Sequence, residues 1–407
     1  MQDTDVALLN DPPRSQSGAL PSRSMASLVQ PTLFSSPYDE SEDPSFLSDQ
    51  LITCIGNKRA LLSPLVEAID GVRTRLGKDK LRVLDAFAGS GVVSRLLKQY
   101  ASTLTSNDME TYARIAAECY LTNRNEVDQH ELKEAVQYLN SEVDRVSHVG
   151  FIRSLYAPHD EQNITTNDRV FYTPENARRL DTYRILIEGL PQKLKPLLMG
   201  PLLSKASIHA NTAGVFKGFY KDRNTGAGRF GGTGRDALDR ICRRIVLEPP
   251  VLSRFECERV VLQMDANRLA EEFRGFDLAY LDPPYNQHPY GSNYFMLNLL
   301  ADYCEPTDYS LVSGIPTDWN RSDYNVRGKA LASLTKLITD LDARFIAISY
   351  NDEGFIKPDA MRALLTSLGR VSEITTKYNT FRGSRNLRGR EIHVTEHLFV
   401  LEKEARS

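Results

Sequence analysis

Cysteine is scarce in this chain of 407 residues: Cys54, Cys119, Cys242, Cys257 and Cys304 are scattered, without the spacing of a zinc site or a disulfide framework. No structural metal is therefore expected, and the pattern fits a reducing cytoplasm. No apolar run is long enough to span a bilayer, so no membrane association is expected. The N-terminus lacks a basic stretch leading into an apolar one, so no secretory leader is read there. Nothing repeats at solenoid or propeller spacing, which excludes an array. Net charge is small as well, −3, and hides an asymmetry: residues 1–50 carry eight acidic and two basic side chains, leaving the rest net positive by three. That opening segment is rich in Ser, Pro and Asp and is expected to be a disordered acidic tail.

What is present is an alternation of apolar runs and turns from residue 51 onward. Arg82-Val83-Leu84-Asp85 reads as a buried strand entering Ala86-Phe87-Ala88-Gly89-Ser90-Gly91. A helix is expected over Val92–Tyr100, then a strand at Thr103–Thr105 ending at Ser106-Asn107-Asp108, then a helix from Thr111. Strand, glycine turn, helix and strand begin a doubly wound α/β unit. Residues 125–255 break the rhythm. It resumes at Val260–Gln263, at Asp277–Leu281 and at Phe345–Tyr350, and a closing hairpin is expected to pair Glu373–Asn379 with His393–Leu401. The middle segment thus reads as an insertion into one α/β domain.

Two strand tips carry the chemistry. Gly89 and Gly91 let backbone approach a ligand, and the helix that follows offers free N–H groups. Asp108, at the next tip, sits where an acid binds ribose hydroxyls in dinucleotide folds, although a helix-start acid is an equal reading. Met109 can pack on a purine or serve the core. After the strand at Asp277–Leu281 comes Asp282-Pro283-Pro284-Tyr285. Asp282 can accept a hydrogen bond from an amine, the Pro283 carbonyl is an acceptor on a stiff backbone, Pro284 stiffens it further, and Tyr285 offers a stacking face. A strand-ending turn is the plain alternative.

Two basic stretches could hold nucleic acid. Lys217–Arg244 has eight basic and three acidic residues, including Lys217, Lys221, Arg223, Arg229 and Arg235, with glycines that suggest a mobile loop. Thr376–Arg390 contains Lys377, Arg382, Arg385, Arg388 and Arg390 and no acid. Solvated surface is the usual reading of such runs.

Taken together, Ile55-Gly56-Asn57-Lys58-Arg59-Ala60-Leu61-Leu62, Asp85–Gly91 and Asp282–Tyr294 resemble the motifs of S-adenosylmethionine-dependent DNA adenine-N6 methyltransferases, in the order of the FokI-type, D12-like modification enzymes. The resemblance covers roughly residues 51–402. It implies a mostly parallel, seven-stranded Rossmann-like methyltransferase sheet built from 51–124 and 256–402, with 125–255 as an inserted target-recognition region. It places Gly56 and Lys58 near the methionine part of S-adenosylmethionine, with Asp85, Phe87, Gly89 and Gly91 around it. Asp108 and Met109 would lie near its ribose and adenine, and Asp265 would bond the adenine. Asp282, Pro283, Pro284 and Tyr285 would hold a flipped-out target adenine. Double-stranded DNA is the implied partner of a monomer, with a cognate restriction endonuclease acting without a stable complex. An RNA base-amine methyltransferase, and a DNA-binding module with a vestigial pocket, remain open at this point.

Overall fold

The structure is a computed structural model and describes residues 42–53, 58–232, 235–379 and 393–404. Seven strands form its centre: β1 (Leu81–Asp85), β2 (Ala101–Asp108), β3 (Glu258–Gln263), β4 (Phe276–Leu281), β5 (Ala343–Asn351), β6 (Gly369–Asn379) and β7 (His393–Lys403). They lie in one sheet in the order β3-β2-β1-β4-β5-β7-β6. All pairings from β3 through β5 are parallel, whereas β7 runs antiparallel to both β5 and β6. Strand order reverses between β1 and β4, and a doubly wound sheet binds ligands at such a point.

The parallel strands were legible because helices cover both faces, so each reads as an apolar run. Leu81, Val83, Leu278, Tyr280, Phe345 and Leu398 face one side, against the helices Leu62–Leu76 and Val92–Leu97. Leu84, Ala279, Leu281, Ile346, Ile348 and Phe399 face the other, against Ala266–Glu272, Arg327–Asp340 and Pro358–Thr366. This alternation sends the residues at successive tip positions to opposite sides of the sheet.

Two boundaries differ from the sequence reading. The helix after the glycine turn ends at Leu97, not Tyr100, because Gln99 and Tyr100 donate to Leu96 and Leu97 and tighten the chain into β2. β2 itself starts at Ala101, two residues early. The closing hairpin is present and longer than expected, over Gly369–Asn379 and His393–Lys403.

Between the helix Thr111–Tyr120 and β3 run the helices Gln129–Arg145, Phe151–Tyr156, Pro174–Glu188, Lys195–Ile208 and Arg235–Cys242. The apolar sides of the first four form one core with Thr111–Tyr120 and with Phe295–Asp302, the helix after the β4 tip. The helical body is therefore anchored to the two helices that flank the strand tips. Buried Arg179 clips it internally, donating to the Ile245 carbonyl at 2.7 Å and pairing with Asp144. Among the described residues, no helix is long and apolar enough to cross a membrane.

Candidate active site

Adjacent strands bring the two motifs together. Asp85 of β1 is in register with Tyr280 of β4, and the Ala86 N–H donates to the Tyr280 carbonyl at 3.1 Å. The glycine turn and the Asp282 tetrapeptide therefore leave neighbouring tips and line one cleft of about 810 Å³, measured out to solvent. Phe87, Gly89, Asp108 and Met109 form one wall; Lys58, Tyr280, Asp282 and Pro284 form the other.

The glycine wall is set by backbone geometry. Gly89 and Gly91 have φ of +53° and +75°, in the left-handed region that other residues enter only under strain. A Cβ at Gly89 would meet no atom within 4 Å, so bare backbone faces open space there. The Gly89 N–H donates to Asp108 Oδ2 at 2.8 Å, and the Glu110 N–H donates to Asp108 Oδ1 at 2.9 Å. Asp108 thus holds the two tips in place. Asp85 lies behind the turn, fully buried, and accepts from Ser94 Oγ at 2.6 Å; it supports the cleft without lining it.

The cleft is unusually rich in carboxyls. Burial, reinforced by the nearby Asp282 charge and opposed by the Ser94 bond, pushes Asp85 up to about 7. Burial and the Asp108 charge push Glu110 up to about 7. Burial also raises Asp108, against the pull of its backbone donors. Asp282 is pushed up to about 6 by burial and by Glu396, with Lys58 pulling the other way.

Lys58 is buried on the opposite wall. Its ammonium lies 3.1 Å from Asp282 Oδ1 and 2.9 Å from Glu396 Oε1, and 5.4 Å over the Tyr285 ring. Burial works against this cation, but the two carboxylates outweigh it and hold its pKa well above the ordinary lysine value. Lys58 therefore sits in the cleft as expected, yet its charge is engaged by protein carboxylates.

Tyr285 faces away from the main cleft, into a second hollow of about 280 Å³ shared with Pro284, Asn286, His288, Tyr290 and Asn293. Its ring meets Tyr350 edge-on at 5.9 Å, and its carbonyl accepts from the Phe355 N–H at 2.9 Å. Pro284 and Tyr290 border both hollows and form the partition between them. Pro283 is buried beneath this corner.

Several lining residues were not read from the sequence. Glu110 accepts from the amides of Asn298 at 2.5 Å and Asn320 at 3.2 Å. Asn320, Ser322 and Asn325 close the cleft's rim, and Asn325 ties down the loop after β4 by donating to the Asn286 carbonyl at 2.7 Å. Tyr324 packs edge-on against Phe87 at 5.3 Å. The only signal for this segment was its run of turn formers, which says nothing about where it packs.

The remaining candidates scatter. Asp265 is exposed at the tip of β3 and caps the next helix, accepting from Asn267 N at 2.9 Å and Arg268 N at 3.2 Å; it does not line the cleft. Lys217, Lys221, Arg223 and Arg229 are exposed on and beside a small hairpin. That hairpin is a defined turn in which Asp222 accepts from Asn224 N at 2.9 Å and Thr225 N at 3.0 Å. Its base reaches the segment after β4, because the Phe216 N–H donates to the Asn293 carbonyl at 2.7 Å. Lys377 is exposed on β6. Gly56, Arg382, Arg385, Arg388 and the side chain of Arg235 lie outside the described residues.

A family model for D12 class N6 adenine-specific DNA methyltransferases matches residues 55–227 and 255–364, well over half of the chain. The chain is 29% identical over 358 residues to the type II methyltransferase M.NlaIII of Neisseria lactamica, covering 86% of this chain and 98% of that protein. It is 25% identical over 356 residues to M.CviAII of Paramecium bursaria Chlorella virus 1, covering 85% and 97%. With M.FokI of Planomicrobium okeanokoites it shares 25% identity over 366 residues, 86% of this chain and 52% of that longer protein. With that family match, the chain belongs to the D12 class of N6 adenine-specific DNA methyltransferases.

Proposed function

We propose that this enzyme transfers a methyl group from S-adenosylmethionine to the N6 amine of an adenine turned out of duplex DNA, as the modification arm of a restriction-modification pair. The observation that carries the reading is the shared cleft: the glycine wall and Asp282 face one another from adjacent strand tips.

The cleft fits the donor. Bare backbone at Gly89 leaves room against which an adenosine can lie, and Asp108 and Glu110 offer acceptors to ribose hydroxyls. The three cleft carboxyls raised by burial, Asp108, Glu110 and Asp282, favour a ligand that brings positive charge. Phe87 and Met109 would flank it, with Asp85 and Gly91 fixing the turn. Asp265, which does not line the cleft, would bond the adenine only by giving up its capping bonds. The donor supplies an activated methyl group.

The protein's part is to position and polarise the amine. That nitrogen is a weak nucleophile because its lone pair is spread into the ring. Hydrogen bonds from its two N–H groups to Asp282 and the Pro283 carbonyl favour a localised pair aimed at the methyl. No base is needed beforehand, since the proton can leave after transfer. An adenine in a duplex must first be extruded, at about a few kcal/mol. Stacking of the extruded ring on Tyr285 would return about 1–3 kcal/mol. Segment 125–255 would read the target site, and Lys217, Lys221, Arg223, Arg229, Arg235, Lys377, Arg382, Arg385 and Arg388 are the candidate phosphate contacts. The bond from Phe216 to Asn293 supports this, because it seats the basic turn beside the catalytic loop. The enzyme would act in the cytoplasm as a monomer and form no stable complex with its endonuclease.

Sequencing DNA from a methylation-deficient host that expresses the protein, by a method that detects modified adenine, tests the proposal. Modified adenine at one recurring short sequence, lost with Asp282→Ala, supports it; an unmodified genome at full expression rejects it.

A further inference from the structure

The third member of the Lys58 cluster has no part in the reaction outlined above. Glu396 comes from β7, beyond residue 364, where the family match ends. It is buried, 1% exposed, and Ser349 Oγ of β5 donates to its Oε1 at 2.8 Å. The same oxygen lies 2.9 Å from Lys58 Nζ, which in turn lies 3.1 Å from Asp282 Oδ1. One carboxylate would suffice to neutralise one ammonium. The second carboxylate brings a further negative charge to that ammonium.

Methyl transfer gives that charge a use. A neutral amine whose lone pair forms a bond to the methyl carbon becomes cationic, and stays so until it sheds a proton. A lone Lys58–Asp282 pair would set a full positive charge beside that developing cation and draw down the acceptor strength of Asp282. We propose that Glu396 is a positioning residue for methyl transfer: it shares the Lys58 ammonium, so that Asp282 meets the adenine amine with its negative charge intact. This rests on the reading of Asp282 as the amine's acceptor. Among the described residues, the other ionisable groups that sense the Asp282 charge are Tyr280, Tyr285 and Asp85, none of them a cation. Glu396 contributes to the upward shift of Asp282, so losing its charge must move that carboxyl down.

The test is Glu396→Gln, assayed as single-turnover methyl transfer to duplex DNA across pH. The rate at neutral pH is expected to fall about ten- to a hundredfold, the range for a weakened bond to a charged group. Its acid limb is expected to move to lower pH by about half a unit or more. The affinity for S-adenosylhomocysteine and the KM for DNA stay within about twofold, as expected of an interaction made only in the transition state. Glu396→Asp keeps the wild-type acid limb. A rate loss with an unmoved limb, or with weakened ligand binding of equal size, marks a merely structural role and overturns the proposal; a wild-type rate overturns it as well. If Glu396→Gln does not fold, Ser349→Ala removes the orienting hydroxyl without removing charge: a reduced rate at unchanged KM supports the proposal and an unchanged rate rejects it. Asp282→Asn separates the two layers. Should it stay active, the acceptor reading itself fails; should it be inactive while Glu396→Gln leaves the limb in place, only the role of Glu396 fails.

Discussion

Replacing Asp282 by Asn keeps the shape of the side chain and removes its charge, and the cluster around it makes the outcome calculable. Lys58 would not be orphaned, because Glu396 remains 2.9 Å from its ammonium. The variant also removes a carboxyl that burial has already pushed up to about 6. Folding stability should therefore change little, with melting within a few degrees of wild type. Catalysis is another matter. An amide oxygen can still accept from one N–H, but it cannot balance the positive charge that grows on the nitrogen. Removing one preorganised electrostatic partner of this kind costs about 2.7–4 kcal/mol, or about 10²–10³ in kcat. Because the interaction is made only as charge develops, kcat and kcat/KM should fall together, while S-adenosylhomocysteine binds as before. Tritium transfer to a duplex under single-turnover conditions measures the first, and calorimetry the second. A rate within tenfold of wild type, or a drop traced wholly to weakened cofactor affinity, would refute the reasoning.

Three further outcomes follow from the same geometry. Gly89→Ala forces an alanine to φ near +53° and projects a methyl into the cleft; strain of about 1–2 kcal/mol should lower the melting temperature, and calorimetry should show S-adenosylhomocysteine affinity reduced about tenfold or more. Unchanged affinity would mean that no ligand lies against that turn. The raised carboxyls hold protons in the free protein and give them up to a cation, so S-adenosylmethionine should outbind S-adenosylhomocysteine by a ratio that grows as pH rises from about 6 to about 8; a ratio flat across that window would contradict the electrostatic account. Charge removal by Lys217→Ala, Lys221→Ala and Arg223→Ala should cut the salt dependence of DNA binding by about one unit of log–log slope for each phosphate no longer neutralised. An unaltered slope would place the DNA elsewhere.

The strand tips were readable in the sequence for a physical reason. Buried parallel strands are apolar throughout, so β1, β4 and β5 stand out, and the residues that follow such runs must lie at the sheet's carboxyl edge. Gly89, Gly91 and Asp282 could thus be placed before any coordinates, and the turn that Gly89 and Gly91 shape shares a cleft with Asp282, as that logic requires. What escaped was the meeting of distant segments. Glu396 is one polar position in an antiparallel strand, and nothing local marks it as the partner of Lys58. Glu110, Asn298 and Asn320 meet only because an irregular segment folds over the cleft. Asp265 was singled out by the resemblance alone, and its carboxylate caps a helix. The basic, glycine-rich run suggested mobility, whereas Asp222 and buried Asn211 organise it: Asn211 donates to the Val170 and Arg229 carbonyls at 2.7 and 2.8 Å.

The most direct measurement is the identity of the methylated base. Duplex DNA carrying the modified site would be incubated with the protein and deuterated S-adenosylmethionine, digested to nucleosides and resolved by mass spectrometry. The account predicts labelled N6-methyladenine from the wild-type protein and, within the linear phase at equal concentration and time, about a hundredfold less or lower still from Asp282→Asn. Label in cytosine, or the same yield of labelled adenine from both proteins, would contradict it.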